Sequence, residues 1–169
     1  MKIILYMTMT ANGYIAKEDD ETPWSDIVWE SYCEFVKKRG NIVVGKRTYE
    51  IMKEANEFEK LGFPITVVVS DSTGDEGADK IFFVSSPKEA VAVMKEKGMD
   101  EMVVGGGSTL NTGFLEDGLL DEIYLDIEPR LFGKGIKLFS DTDVSVNLRL
   151  CEVAKLSKDV IRLHYRVLK

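Results

Sequence analysis

The sequence predicts an α/β fold with a mainly parallel central sheet of about eight strands, covered by helices and finished by antiparallel edge strands. Short β-branched runs alternate with segments of helical periodicity along most of the chain, which is typical of a parallel sheet with helices on both faces. The chain then ends in two strand patterns joined across Ser157-Lys158, which indicates a hairpin. The length of 169 residues and the 44% of hydrophobic residues predict one domain over 1–169.

The first half of the chain begins with an apolar run at 2–9, which predicts a strand, and continues in a long polar loop over 10–23. A helix is predicted over 24–38, because apolar side chains recur on one stripe and Gly40 is a suitable stop. Strand 41–44, a short helix over 46–52 and strand 65–69 follow. The last of these is almost entirely β-branched, which indicates a central strand covered on both faces.

The second half alternates in the same way after a turn-rich stretch from Asp71 to Asp79. Ser86 suits the N-cap and Pro87 the first turn of a helix that runs to about Lys97. The other predicted elements are strand 80–84, strand 101–104, a helix over 108–116, strand 121–127 and the final strands 147–156 and 159–168.

The composition excludes several classes of protein. A formal net charge of −7 disfavours nonspecific binding to nucleic acid or to an anionic membrane. No apolar run reaches the roughly 20 residues that span a bilayer, and no signal peptide is evident, so we expect a cytoplasmic protein. Cys33 and Cys151 are far apart and His164 is the single histidine, so no metal site is expected.

The glycine run Gly105-Gly106-Gly107, followed by Ser108-Thr109-Leu110, lies between a predicted strand and a predicted helix. Consecutive glycines let the backbone approach an anion, and the helix directs its free N–H groups at it. Ligands of open α/β sheets lie beyond the carboxyl ends of the strands, where this run falls. We interpret it as a phosphate-binding loop; the alternative is a tight turn that needs small residues for packing. It matches neither a Walker A loop nor a GxGxxG fingerprint.

A second anion site is predicted at Gly45-Lys46-Arg47-Thr48, directly after strand 41–44. Cations at a helix N-terminus oppose the helix dipole, and a bound phosphate gives a reason for their presence. The alternative is a solvated basic patch. Two separated phosphate sites on one sheet edge suit a dinucleotide, and Ser70, at the end of strand 65–69, is placed to add a hydroxyl.

Asn12-Gly13 favours a turn, interpreted either as a plain surface turn or as a mobile loop that covers a cleft.

Candidates for acid–base chemistry are few. Asp26 and Glu30 are four residues apart on the first helix and are potential proton sources, but both lie off the apolar stripe, which favours two solvated helix charges instead. His164 lies on the alternating pattern of the last strand, which predicts a solvent-facing or interface position. Hydrolysis at His164 is therefore carried as a minor hypothesis.

Together these segments resemble the dihydrofolate reductase-like superfamily, and within it the reductase domain of the bifunctional riboflavin-biosynthesis deaminase/reductase and its stand-alone relatives. The similarity covers most of the chain. The matching motifs are Asn12-Gly13-Tyr14-Ile15-Ala16, Pro23-Trp24, Gly45-Lys46-Arg47-Thr48-Tyr49-Glu50, Gly105-Gly106-Gly107-Ser108-Thr109-Leu110-Asn111, Phe114-Leu115, Gly118-Leu119-Leu120-Asp121-Glu122-Ile123-Tyr124 and Pro129-Arg130-Leu131-Phe132-Gly133-Lys134-Gly135.

The resemblance implies a dihydrofolate reductase-like three-layer fold, NADPH as the hydride donor, a small-molecule substrate and a homodimer formed through the late strands. By position, Lys46, Arg47, Thr48 and Ser70 would hold the ribose 2′-phosphate, and Gly105–Leu110 the pyrophosphate. Thr8 and Ile15 would line the nicotinamide pocket with backbone groups.

Three functions are compatible with these motifs. The first is an NADPH-dependent reductase of a small heterocyclic or imine-like substrate, for which 5-amino-6-(5-phosphoribosylamino)uracil is one candidate. The second is dihydrofolate reduction, but the position of the proton-donating carboxylate of that branch falls on Trp29, with Glu30 next to it. No catalytic carboxylate is assigned for this reason. The third is a nucleotide-binding family member without turnover, consistent with Asn12 in place of the usual Asp.

Overall fold

The computed structural model describes residues 1–71 and 79–169, and this part of the chain contains ten strands and five helices. Most of the predicted turn-rich stretch 71–79 lies outside the described residues. The elements are β1 (Lys2–Thr10), β2 (Tyr14–Ala16), α1 (Asp26–Arg39), β3 (Asn41–Gly45), α2 (Lys46–Glu54), α3 (Glu57–Lys60), β4 (Ile65–Val69), β5 (Ile81–Val84), α4 (Pro87–Glu96), β6 (Glu101–Val104), α5 (Ser108–Glu116), β7 (Glu122–Glu128), β8 (Ile136–Lys137), β9 (Asn147–Lys155) and β10 (Ile161–Leu168).

Eight of these strands form one sheet in the order β5-β4-β3-β6-β1-β7-β10-β9. The six strands from β5 to β7 in this order pair in parallel. β10 is antiparallel to both of its neighbours, β7 and β9, which places the antiparallel strands at the C-terminal edge. The predicted α/β fold class and its mainly parallel eight-stranded sheet are therefore confirmed.

Helices cover both faces of the sheet. Successive residues of the central strands point to opposite faces and therefore belong to two different hydrophobic cores. Leu5, Val43 and Val67 belong to the core that includes Met94 of α4 and Phe114 of α5. Their sequence neighbours Tyr6, Val44 and Val68 belong to the second core, with Val36 of α1 and Met52 of α2. This double burial explains why the central strands are continuous apolar runs. Within the described ranges, no helix combines the length and the apolar character needed to cross a bilayer.

The structure adds two short features that the sequence did not predict, and several element bounds differ by one or two residues; for example, α2 ends at Glu54 rather than at residue 52, and β10 begins at Ile161 rather than at residue 159. The small sheet of β2 with β8 was not predicted, because both strands are too short to show a period. The four-residue helix α3 was not predicted for the same reason. α1 begins at Asp26 rather than at residue 24, because Trp24 stacks on Phe132, with the ring centroids 5.9 Å apart.

A buried ion pair connects β7 and β10 beneath α1. Asp126 is fully buried and accepts hydrogen bonds from Arg162 Nε at 2.7 Å and Arg162 Nη2 at 2.8 Å. The Tyr6 hydroxyl donates to the same carboxylate at 2.6 Å, and Arg162 also donates to Ser31 Oγ at 2.7 Å. Burial and the charge of Asp126 raise the pKa of Tyr6, so this hydroxyl keeps its proton. The network therefore ties the antiparallel edge of the sheet to β1 and α1.

Replacing Asp126 with Ala should destabilise the fold by about 3–5 kcal/mol, because it leaves the Arg162 guanidinium without its buried counter-ion. Chemical denaturation measures this loss. The matched control is Asp141→Ala, which removes the exposed partner of Lys137 and should cost less than about 1 kcal/mol. Equal costs for the two variants would contradict a structural role for the buried pair.

Candidate functional site

A cleft of about 1240 Å³ opens at the edge of the sheet where the parallel strands end. Twelve of the thirteen site residues predicted from the sequence line it. They are Thr8, Ile15, Gly45, Lys46, Arg47, Thr48, Ser70, Gly105, Gly107, Ser108, Thr109 and Leu110. The thirteenth, Gly106, is buried behind this lining, where its carbonyl oxygen accepts a hydrogen bond from the Gly45 N–H at 2.8 Å. The fold therefore brings the predicted residues together.

The two predicted anion loops lie on the same sheet edge and are in direct contact. β3 and β6 are neighbouring strands, with Val43 in register with Val104. Two backbone hydrogen bonds of 2.8 Å continue the pairing beyond the strands, from Gly105 N–H to the Val43 carbonyl and from Gly45 N–H to the Gly106 carbonyl. The glycine run and the start of α2 consequently form one continuous wall of the cleft.

The protein itself explains two of the three glycines of the run. A Cβ at Gly105 would lie 2.6 Å from the Tyr32 hydroxyl and 2.8 Å from Ile42 Cδ1, and Gly106 has a φ of +92° with Met7 against it. Packing and backbone conformation thus account for both. Gly107 has a φ of −83°, and a Cβ there would meet only Thr48 Oγ1, at 3.5 Å. Protein packing leaves Gly107 unexplained, and this position faces the cleft.

Two helices begin at this wall. In α5 the first intrahelical hydrogen bond runs from Asn111 N–H to the Gly107 carbonyl at 2.9 Å, so the N–H groups of Ser108, Thr109 and Leu110 have no intrahelical partner. α2 begins at Lys46, and Gly45 at its N-cap supplies no side-chain cap. The positive ends of both helix dipoles therefore lie on the cleft, an arrangement that favours an anion.

The cation Arg47 is paired across the cleft with Asp20, a residue that sequence analysis missed. Arg47 Nε donates to Asp20 Oδ2 at 2.7 Å. Asp20 belongs to the segment between β2 and α1, whereas Arg47 belongs to the first turn of α2. Both side chains line the cleft, so a bound phosphate would compete with Asp20 for the guanidinium.

Asn12 ties the loop after β1 to the segment that precedes β8. Its Oδ1 accepts from Thr10 Oγ1 at 2.8 Å and from Phe132 N–H at 3.2 Å, and its Nδ2 donates to the Phe132 carbonyl at 2.7 Å. Gly13 adds a further contact by accepting a hydrogen bond from Leu138 N–H at 3.1 Å. A side-chain amide can donate one hydrogen bond and accept another at the same time, which explains why an Asn can bond to both backbone groups of Phe132. The turn is therefore exposed but tied by side-chain and backbone hydrogen bonds to the segment around β8.

The segment from 135 to 141 forms a further wall that the sequence predictions did not include. Ser140 N–H donates to Thr112 Oγ1 at 2.8 Å, and Asn111 Nδ2 donates to the Leu138 carbonyl at 2.8 Å. Ser108 Oγ and Ser140 Oγ are 3.1 Å apart. These bonds hold Lys137 and Ser140 at the N-terminal end of α5, in the lining of the cleft.

Aromatic and aliphatic side chains line the other end of the cleft, between α1 and α3. Trp29 and Tyr32 stack with centroids 5.9 Å apart, and Ile51 and Met52 lie among the lining residues of α2. Glu57 is the carboxylate of α3 in this lining, and burial raises its pKa while the charge of Lys60 opposes that rise. Sequence analysis missed Glu57 because it missed α3.

The acidic candidates of the sequence analysis have different positions. Asp26 lines the cleft but is exposed, and Glu30 is exposed and outside the lining. His164 lies outside the cleft on β10, 3.1 Å from Glu122 and stacked on Tyr124. Its position gives no support to hydrolysis.

The described residues contain no group of three or more His, Cys, Asp or Glu that could hold a metal ion.

Comparison with known proteins agrees with this architecture. YwjB of Bacillus subtilis (strain 168), itself uncharacterised, is 26% identical over 170 residues, which cover 97% of each chain. Among solved structures, a pyrimidine reductase-like protein from Corynebacterium diphtheriae superimposes with a TM-score of 0.77 at 15% identity, covering 99% of this chain and 92% of the other.

The diaminohydroxyphosphoribosylaminopyrimidine deaminase/5-amino-6-(5-phosphoribosylamino)uracil reductase of Thermotoga maritima gives a TM-score of 0.74 at 18% identity, covering 99% of this chain and 56% of the other. These likenesses confirm the predicted dihydrofolate reductase-like fold. The RibD C-terminal domain model matches residues 1–162. The chain therefore belongs to the RibD C-terminal domain family, as its motifs predicted.

Proposed function

We propose that this protein is an NADPH-dependent reductase that transfers hydride to a small heterocyclic or imine-like substrate. The observation that carries the proposal is the convergence of two helix N-termini and the glycine run on one cleft large enough for a dinucleotide and a substrate. The family supports a reductase. The Thermotoga relative is named as a reductase of 5-amino-6-(5-phosphoribosylamino)uracil, and this compound is the first substrate to test.

The residues present suit the phosphates of the cofactor. Gly107 leaves open space beside the unpartnered N–H groups of Ser108, Thr109 and Leu110, which would hold the pyrophosphate together with Gly105 and Gly106. Lys46, Arg47, Thr48 and Ser70 would surround the 2′-phosphate, beside Gly45 at the start of α2. Thr8 and Ile15 would contact the nicotinamide through backbone groups at the end of β1 and in β2.

When bound, NADPH would supply the hydride, and the chain would supply binding, orientation and exclusion of water. The glycine run and the segment from 135 to 141 would fix the cofactor from two sides, since hydrogen bonds join this segment to α5. Trp24 and Phe132, stacked against each other near β2, would shield one end of the site from water.

Calorimetric titration with NADPH, followed by an absorbance screen for substrates that oxidise it, tests the proposal. We expect NADPH to bind and at least one imine or heterocyclic carbonyl compound to be reduced. Binding of NADPH without turnover of any substrate would favour the alternative of a nucleotide-binding protein. Absence of NADPH binding would contradict the proposal.

The proposed homodimer would form through β9, the edge strand of the sheet. Leu148, Leu150 and Val153 on this strand are 40%, 52% and 54% exposed. A nine-residue edge strand with exposed apolar side chains and unpaired backbone groups is a ready template for pairing with a second chain. A second copy would cover this surface.

Replacing Gly107 with Ala should raise the NADPH dissociation constant by about tenfold, or about 1.4 kcal/mol, because the added methyl group occupies the space proposed for the pyrophosphate. Calorimetry measures the constant, and the free energy of unfolding should change by less than about 1 kcal/mol. Gly133→Ala is the control, since a Cβ there meets no atom within 4 Å and Gly133 lies outside the cleft lining. Unchanged affinity in Gly107→Ala would count against pyrophosphate binding at this position.

Replacing Arg47 with Ala should weaken NADPH binding much more than NADH binding, because only NADPH carries the 2′-phosphate. Loss of one charge-assisted hydrogen bond, about 1.5–3 kcal/mol, predicts at least a tenfold rise in the NADPH dissociation constant. Lys53→Ala, which removes a cation of the same helix outside the cleft lining, should leave both constants unchanged. Equal weakening of NADH and NADPH by Arg47→Ala would overturn the assignment of the 2′-phosphate.

Replacing Leu150 with Asp should raise the dimer dissociation constant by more than about tenfold, because a carboxylate would be buried in the proposed interface. Sedimentation equilibrium measures the change. Phe63→Asp, which alters an exposed apolar side chain in the loop after α3, should leave the dimer intact. A monomeric wild-type protein would refute the dimer outright.

A further inference from the structure

The part of the cleft between α1 and α3 differs in character from the start of α5, although the Tyr32 hydroxyl reaches Gly105 of the glycine run. We call it the α1–α3 pocket and define it by Asp26, Trp29, Tyr32, Ile51, Met52, Glu57 and Lys60. The stacked rings of Trp29 and Tyr32 line this pocket together with the aliphatic side chains of Ile51 and Met52 on α2. Aromatic and aliphatic side chains of this kind suit a flat heterocyclic ring, which gains from stacking and burial.

Glu57 is the half-buried polar group of this pocket. It is the first residue of α3, directly after Asn56, whose left-handed backbone (φ 54°) turns the chain from α2 into α3. Glu57 and Tyr32 of α1 both line the cleft, and the charge of Glu57 contributes to the raised pKa of Tyr32 after the larger contribution of burial. Among the described residues, no side-chain hydrogen bond or ion pair engages the Glu57 carboxylate.

The other carboxylates of the cleft are differently placed. Asp20 is paired with Arg47 and Asp141 with Lys137. Asp26 and Asp71 are exposed to solvent. Among the cleft carboxylates in the described part of the chain, Glu57 thus combines partial burial with the lack of a direct partner, and burying such a group is costly unless a ligand supplies hydrogen-bond donors.

The charges of the α1–α3 pocket oppose a phosphorylated ligand. Asp26 and Glu57 contribute two negative charges against the single positive charge of Lys60. Lys60 Nζ lies 6.0 Å from the centre of the Trp29 ring, where the aromatic face already attracts it. α1 begins in this pocket at Asp26, and this carboxylate offsets the positive end of its helix dipole, whereas the first turns of α2 and α5 carry no acidic residue. A phosphate ester held here would lie near two carboxylates with little to compensate their repulsion.

We infer that Glu57 determines substrate specificity, and that it selects an unphosphorylated nitrogen heterocycle with N–H donors over a phosphorylated one. This inference rests on the proposed reductase function and narrows its substrate class. A carboxylate accepts hydrogen bonds from adjacent ring N–H and amino groups, and charge-assisted bonds of this kind are about twice as strong as neutral ones. The same carboxylate repels a phosphate, so one residue both attracts the N–H donors of the heterocycle and disfavours a phosphorylated ligand.

A matched pair of probes tests the inference: 5-amino-6-(ribosylamino)uracil and its 5′-phosphate, each titrated by calorimetry into the full chain without cofactor. The wild-type protein should bind the unphosphorylated probe at least about tenfold more tightly than the phosphorylated one. Glu57→Gln keeps the shape of the side chain and should reduce this preference by about tenfold. Glu57→Lys should reverse it.

Glu59→Gln is the control, because Glu59 lies on the same short helix, is exposed and is outside the cleft lining. It should leave the preference unchanged. Equal or tighter binding of the phosphorylated probe by the wild type, an unchanged preference in both Glu57 variants, or failure of both probes to bind would overturn the inference. NADPH titration of the same proteins reports on the reductase proposal separately, since its outcome does not enter the ratio of the two probes.

Discussion

The pairing of β3 with β6 is the constraint on which the candidate site depends. Two backbone hydrogen bonds extend this pairing past the end of β6, from Gly105 N–H to the Val43 carbonyl of β3 and from Gly45 N–H to the Gly106 carbonyl. Gly105 has no room for a side chain, because a Cβ there would collide with Tyr32 and Ile42. As a result, α2 and α5 begin side by side, and both helix N-termini open on the same cleft.

A chain of net charge −7 can still concentrate positive groups in one part of a cleft. Net charge acts over long distances and is screened by salt, whereas helix N-termini and backbone N–H groups act at contact distance. The positive groups are concentrated around Lys46, Arg47 and the start of α5, and the α1–α3 pocket carries Asp26 and Glu57. The two ends of one cleft are therefore suited to ligand groups of different charge.

Side chains remote in sequence hold this arrangement in place. Asn12 bonds to both backbone groups of Phe132 across 120 residues, and Asn111 fixes the carbonyl of Leu138 beside α5. On the opposite side of β1, Asp126 and Arg162 connect β7 to β10 within a buried network. The walls of the cleft are thus supported from the loops and from beneath the sheet, which limits the number of positions they can adopt.

The sequence by itself determined the order of the large elements, the position of the glycine run and of the Gly45-Lys46-Arg47-Thr48 segment at strand ends, and the family, because these depend on local periodicity, glycine spacing and motifs that lie within a few consecutive residues. Only the tertiary structure decided that the loops touch, that Asp20 pairs with Arg47 and that Glu57 enters the cleft from α3. The physical reason is that β2, β8 and α3 are too short to leave a periodic signal, and long-range hydrogen bonds and packing hold them in place. Local sequence also allowed a catalytic interpretation of His164, which the pairing of β10 with β7 directs toward Glu122 and away from the cleft.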